Sequence, residues 1–271
     1  MKPVTVFALL LLLMSCDSAV KQDDKNAAAL LAEGRWVDLS YAFSDSTPYW
    51  PNNPEGFRLD IEANGITEGG FFYSSNSFCA PEHGGTHLDA PVHFAEGKQT
   101  AEQVPLESLT GAAVVIDVSA KALKNEDYLI SVKDVEDWEK EHGALQDGTI
   151  VLFRTGYGQF YTDRKKYFGT DKKGSEGIAL LHFPGIGPAT AEWLAAKRKI
   201  KAVGIDTPSI DYGQSKDFKT HQLLLGKNIP AFENVANLDK LAARGAYVVA
   251  LPMKIKNGSG GPLRIIAWLK N

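Results

Sequence analysis

The chain has 271 residues, 44% of them hydrophobic and 23% charged, with 25 glycines and 13 prolines. These proportions exclude collagen-like, coiled-coil and intrinsically disordered chains, and the length is enough to bury a sizeable core in one large domain. The 29 basic and 33 acidic side chains leave a net charge of −4, which gives no basic footprint for nucleic acid, and two cysteines, Cys16 and Cys79, cannot build a disulfide framework.

Lys2 precedes an apolar run from Val4 to Met14, broken only by Thr5 and followed by Ser15-Cys16. A run this short falls well below the roughly 20 residues a helix needs to span a bilayer. A positive start, a short apolar core and a small residue at its end describe a secretory signal. Leu13-Met14-Ser15-Cys16 is similar to a bacterial lipobox, in which Cys16 is lipidated and begins the mature chain. The polar, alanine-rich stretch that follows suits a tether. The expected organisation is a signal over residues 1–15, lipidated Cys16 and a tether over 16–35, and one domain over 36–271. Such a protein sits in the bacterial cell envelope, attached to the membrane through its N-terminal lipid alone.

Beyond the tether there is no internal repeat and no long Ser/Gly/Pro linker. Short runs bounded by turn residues, at 112–118, 149–153, 202–205, 246–251 and 263–268, read as buried strands. Ser131 caps a predicted helix that carries Val132, Val135 and Trp138 on one face and ends near Gly143. Pro188 opens a second through Thr190 to Arg198, with Lys197, Arg198 and Lys199 well placed near its C-terminal dipole. Strands and helices mixed in this way predict a single α/β domain.

The chemistry concentrates in His83-Gly84-Gly85-Thr86-His87-Leu88-Asp89-Ala90-Pro91-Val92-His93, which holds half of the six histidines. His83, His87, Asp89 and His93 are an even number of residues apart, so an extended chain points all four to one face. A helix would scatter them to roughly 0°, 40°, 240° and 280°, and Gly84-Gly85 and Pro91 also argue against one. His87 and Asp89 can converge on one ion, and a curl at Gly84-Gly85 can bring His83 back to it. Two imidazoles and a carboxylate suit Zn²⁺, Mn²⁺ or Fe²⁺ with positions left for water. His93, past the Ala90-Pro91 bend, is either a further ligand or a base beside the metal.

This stretch resembles the His-x-Gly-Thr-His-x-Asp-x-Pro-x-His signature of the cyclase-like metal hydrolases, a family that includes bacterial kynurenine formamidases and isatin hydrolases. Thr47-Pro48-Tyr49-Trp50-Pro51 is similar to the family's Pro-x-Trp-Pro segment, whose aromatic residue lines the substrate pocket, here Trp50. Residues 203–211 resemble its Gly-Ile-Asp-Thr-x-Ser strand and loop, and His221 with Glu233 matches its distal metal pair. The resemblance implies a mixed, barrel-like β-core flanked by helices, of the swivelling β/β/α type. It further implies a first metal on His83, His87 and Asp89, and a second on Asp89, His221 and Glu233. The cofactor would be one or two zinc ions or a single manganese, and His93 would be the general acid/base for a metal-activated water. The substrate would be a small-molecule amide and the assembly a homodimer or tetramer. The reading placed first is an arylformamidase that converts N-formylkynurenine to kynurenine and formate. The second is an isatin-type hydrolase of a cyclic amide or lactone with a single Mn, and the third a lipoprotein that binds metal or a small ligand without turnover.

Other features are weaker. The segment 160–187 is longer than the compact formamidases need, and its aromatics, Phe183 among them, fit a pocket lining. Arg264, after the turn-like Asn257-Gly258-Ser259-Gly260-Gly261, could orient a substrate carboxylate. Cys79 reads as a small buried residue leading into the site. Glu82 is either a support for His83 or solvated, His142 belongs to the surface, and His182 is a weaker pocket candidate. No Gly-x-Ser-x-Gly elbow of a serine hydrolase is present.

Overall fold

A computed structural model describes Ala29 and residues 31–271. Its strands are β1 (Gly34–Asp38), β2 (Arg58–Ile66), β3 (Phe72–Cys79), β4 (His87–Asp89), β5 (Thr110–Asp117), β6 (Leu129–Ile130), β7 (Ile150–Arg154), β8 (Gly185–Ile186), β9 (Ala202–Ile205), β10 (Ala231–Glu233), β11 (Ala246–Pro252) and β12 (Gly260–Lys270). The helices that follow β4 are α1 (Leu106–Leu109), α2 (Ser119–Ala122), α3 (Val132–His142), α4 (Arg164–Phe168), α5 (Gly174–Ala179), α6 (Pro188–Lys197) and α7 (Lys219–Leu225). Residues 1–15 and Cys16 lie outside the described residues. The tether, however, ends earlier than expected. Gly34 and Arg35 already pair with Lys270 and Leu269, in an edge strand whose mostly exposed side chains give little hydrophobic pattern.

Eight strands form one mixed sheet in the order β1-β12-β11-β5-β7-β9-β10-β4. Because β4 also pairs with the start of β12, Asp89 opposite Gly260, the seven strands from β12 round to β4 close on themselves as a barrel. β5, β7, β9 and β10 run parallel, and both faces of their central strands are buried, which is why they read as continuous apolar runs. Leu88, Ala113, Val115, Ile150, Leu152 and Phe232 belong to the cluster that fills the barrel. The alternate residues Val114, Ile116, Val151, Phe153 and Val203 pack outward against Val135, Trp138, Ala191 and Leu194 of α3 and α6. Ser131 does cap α3: its hydroxyl accepts from Asp134 N while Asp134 reaches back to Ser131 N. Among the described residues no helix is long and apolar enough to cross a membrane.

One element has no counterpart in the sequence reading. β2 and β3 form a two-stranded hairpin that pairs with no other strand among the described residues. Its register places Leu59 opposite Phe78 and Ile66 opposite Phe72, and a bulge between Ile61 and Ala63 brings Ile66 to the same side as Leu59 and Ile61. Leu59, Ile61, Ile66, Phe72 and Phe78 thus share one face, and each is at least half exposed. Arg58, Asp60, Ser75 and Ser77 take the other.

Candidate metal centre

The pairing of β4 with β10 builds the centre. Leu88 lies opposite Phe232 and both turn into the barrel, so strand alternation turns His87, Asp89 and Glu233 out on the other face, with Glu233 directly across from His87. α7 packs near this end of the barrel and brings His221 over it, 3.1 Å from Asp89 Oδ2 and 3.2 Å from Glu233 Oε1. His83 arrives by the curl. Gly84 and Gly85 have φ of +151° and +57°, and a side chain at Gly84 would fall within the Tyr49 ring. His83 Nδ1 consequently stands 2.7 Å from Asp89 Oδ1. The extended reading therefore holds for His87 to Asp89 only, since His93 sits on a 3₁₀ turn, Pro91–His93.

Two groups of donors result, His83–His87–Asp89 and Asp89–His221–Glu233, each with its ligand atoms within 4.8 Å of one another and with Asp89 in both. The outer ring nitrogens are already occupied. Asp211 holds His221 Nδ1 at 2.6 Å, the Gly85 carbonyl accepts from His87 Nδ1 at 2.9 Å, and Ser259 Oγ meets His83 Nε2 at 2.8 Å. Glu82 in turn takes the Ser259 hydroxyl at 2.6 Å, which gives it the supporting role. The inner nitrogens therefore all face one another and the carboxylates, and His87 Nε2 is buried with no hydrogen-bond partner. An orphaned imidazole nitrogen beside two buried carboxylates, with the outer nitrogens oriented by carboxylate or carbonyl, is the environment a divalent cation requires. The donor set suits Zn²⁺ or Mn²⁺.

Protonation in the metal-free chain follows the same geometry. Burial lowers the His87 pKa, but the charges of Asp89, 3.2 Å away, and of Glu233 outweigh it and push it up to about 9. His221 is likewise held well above its ordinary value: burial opposes this, and hydrogen bonds to Asp211 and Asp89 and the charge of Glu233 prevail. Asp89 is held well below the carboxylate range despite its burial, by the His87 charge and hydrogen bonds from His221 and His83. Glu233 is raised by burial and by Asp89. His93 differs: burial, together with the three neighbouring imidazoles, pushes it down to about 3 against the pull of Asp89. Its ring stacks on His83 at 3.8 Å between centroids, and no side-chain hydrogen bond to it is found among the described residues.

The centre forms the floor of a cavity of about 310 Å³. Trp50, Phe94, Phe168 and Phe218 give it aromatic walls, and Asn52, Asn53, Ser209 and Asn234 supply polar atoms. Trp50 lies where it was expected, and Phe168 brings the 160–187 segment into the wall. Phe183 does not line the cavity: it is fully buried behind the wall, 6.1 Å from both Trp50 and Phe168. Arg264 is also displaced from its expected role. It pairs with Asp38 at 2.7 Å in a separate surface groove, because outward alternation on β12 points it away from the centre. Cys79 is exposed at the end of β3 rather than buried, and His182 pairs with Asp127 at 2.9 Å away from the cavity. Asp211, Ser259, Phe94, Phe218 and Asn234 carried no spacing signal; only the fold brings them here.

A family model described as Putative cyclase matches residues 37–212. The chain belongs to this cyclase family. An isatin hydrolase of Roseibium aggregatum is 32% identical over 267 residues, which cover 94% of this chain and 98% of that protein. A kynurenine formamidase of Erythrobacter litoralis is 29% identical over 240 residues, covering 87% and 94%. Among solved structures, isatin hydrolase A from Ralstonia solanacearum superposes with a TM-score of 0.81 at 31% identity, over 94% of this chain and 99% of that one. The cyclase-family relatives are hydrolases, and this chain is a metal-dependent hydrolase of the same family with a mixed, barrel-like α/β fold.

Proposed function

We propose that this cyclase-family hydrolase opens the ring of a cyclic amide fused to an aromatic ring, the class to which isatin belongs. The observation that carries this reading is the juxtaposition of a buried metal-donor floor with an aromatic-walled cavity of about 310 Å³, one wall of which comes from α4 through Phe168. Similarity to the isatin hydrolase of R. aggregatum across 94% of the chain, against 87% for the formamidase, supports it. Hydrolysis of N-formylkynurenine is the second reading, favoured by the Asp89–His221–Glu233 group, which gives the floor a second set of donors.

His83, His87, Asp89, His221 and Glu233 would hold the metal, which when bound supplies a Lewis acid and lowers the pKa of water. The chain does the rest. Trp50, Phe168 and Phe218, tilted and edge-on to one another, offer the flat ring an aromatic wall, at the cost of holding Phe218 in the left-handed region (φ 49°). His93, without a competing hydrogen bond, stands beside the donors; held down near 3 it is a weak base, so its part is to relay the proton of the attacking water to the departing nitrogen and not to store it. Water oxygen joins the carbonyl carbon, the C–N bond breaks and the nitrogen gains a proton, so nothing is oxidised or reduced.

The test is hydrolysis of isatin and N-formylkynurenine by protein loaded with Mn²⁺ or Zn²⁺, each beside a chelated control. Ring opening of isatin with kcat/KM above about 10⁴ M⁻¹s⁻¹ supports the first reading. Preferential formate release supports the second. Tight metal binding with both substrates intact leaves a binding protein.

Two expectations about the protein's setting become proposals here. Anchoring through lipidated Cys16 predicts that Cys16→Ala moves the protein from the detergent-extracted membrane fraction to the soluble one. For assembly, a second copy is the occupant of the exposed hairpin face. Two such faces packed together would bury on the order of 1,200 Å², the lower edge of a stable interface.

A further inference from the structure

Asn234, which immediately follows the metal donor Glu233, is not part of either donor group, yet it is one of the most constrained residues of the cavity. It is 2% exposed and adopts a left-handed backbone, φ 53°. Three separate elements fix it. Its N–H donates to the Thr207 carbonyl at 3.0 Å, its carbonyl accepts from Thr86 Oγ1 at 2.8 Å, and its Oδ1 accepts from the Tyr167 hydroxyl at 2.8 Å. Tyr167 is itself fully buried. The other end of the amide is different: among the described residues nothing accepts from Asn234 Nδ2, while the side chain lines the cavity beside the metal floor. The oxygen is thus turned to Tyr167 and the donor end is left to the cavity.

With its oxygen anchored on Tyr167, the amide has its N–H₂ open to the cavity, so a partner for it comes from whatever the cavity holds. Locked by its neighbours, it needs no reorganisation when charge develops, which is the property that makes an oxyanion donor effective. We infer that Asn234 donates through Nδ2 to the substrate's amide carbonyl oxygen, and more strongly as that oxygen becomes an anion. Tyr167 is then the positioning residue that aims the amide. This rests on the amide-hydrolase reading above.

The test uses Asn234→Gly, because glycine accepts φ 53° and Tyr167 OH retains the Asp206 carbonyl at 3.2 Å. Metal content and melting temperature should stay near wild type. For isatin, kcat should fall about 10²–10³-fold while KM rises no more than about 2–10-fold. Affinity for the unreactive lactam oxindole, titrated calorimetrically, should fall about 2–10-fold, the worth of one neutral hydrogen bond. Tyr167→Phe should lower kcat less, and the double variant should be no worse than Asn234→Gly alone. Unchanged kcat and unchanged oxindole affinity in Asn234→Gly overturn the inference, as does loss of metal in parallel with activity. A wild-type protein that leaves isatin intact but binds oxindole through Asn234 overturns the hydrolase reading and keeps this one. A wild-type protein that does neither overturns both.

Discussion

Asp89 shows how much one side chain can be asked to do. Its two oxygens serve different imidazoles, Oδ1 toward His83 and His87 and Oδ2 toward His221, and in the metal-free chain these contacts keep it ionised inside the protein. His87 and His221 are correspondingly held in their charged form. A cation must displace their protons, so binding competes with protonation. The sign is fixed by the direction of the shifts: below a His87 pKa of about 9 its proton is present and opposes the metal, and the proton on His221, also held well above its ordinary value, opposes it too. Metal affinity should therefore rise with pH from 6 to 9, by roughly tenfold per pH unit for each proton displaced. Calorimetric titrations in buffers of different ionisation enthalpy will count those protons. His93 stands apart, because burial has already discharged it. His93→Ala should retain the metal and lose about 10²–10⁴-fold in turnover; metal lost along with His93 would make it a ligand.

At the scale of elements, the centre depends on a short strand and a glycine curl. Gly84→Ala imposes a φ of +151° on a residue with a Cβ and drives that carbon into Tyr49. The expected cost is about 1–3 kcal/mol from overpacking alone. Differential scanning calorimetry should show a Tm lower by several degrees, and metal affinity should fall because His83 no longer reaches Asp89. The same elements explain what could be read in advance. Strands buried on both faces, such as β7 and β9, are continuous apolar runs, and Ser131 and Pro188 are strong helix openers, so these elements could be read directly. The His83–His93 stretch was readable because the donors lie close in sequence and carry a family signature. The aromatic wall was only partly so. Phe94, Phe168 and Phe218 come from three distant segments, and nothing local separates Phe168, which lines the cavity, from Phe183, which is packed behind it. Arg264 failed for a related reason: the strand it sits on was recognised, but which face of that strand meets the centre depends on the barrel's closure. The hairpin went unrecognised although Leu59, Ile61, Phe72 and Phe78 alternate around Thr67-Glu68-Gly69-Gly70, because its apolar residues stay half exposed or more, with Phe78 stacked only on nearby Phe57.

Among the described residues, that hairpin stands apart from the barrel as a sheet of its own. An isolated pair of strands is marginal in water, and five large apolar side chains on one of its faces make it more so. A second copy covering the face predicts that Ile61→Lys with Phe72→Ser halves the mass measured by sedimentation, while circular dichroism shows the barrel intact. A variant that keeps the wild-type mass would assign the interface elsewhere. The hairpin also occupies a particular place in the chain, between the cavity wall at Pro48–Asn53 and the metal donor His83. Its two legs are joined to both, so whatever steadies the hairpin steadies the floor and one wall together. With a second copy on that face, association and metal loading would be linked equilibria, each shifting the other by the same factor. Dilution would weaken the grip on the ion, and stripping the ion would loosen the pair. Protein concentration thus becomes a setting of the catalyst as well as a measure of its amount.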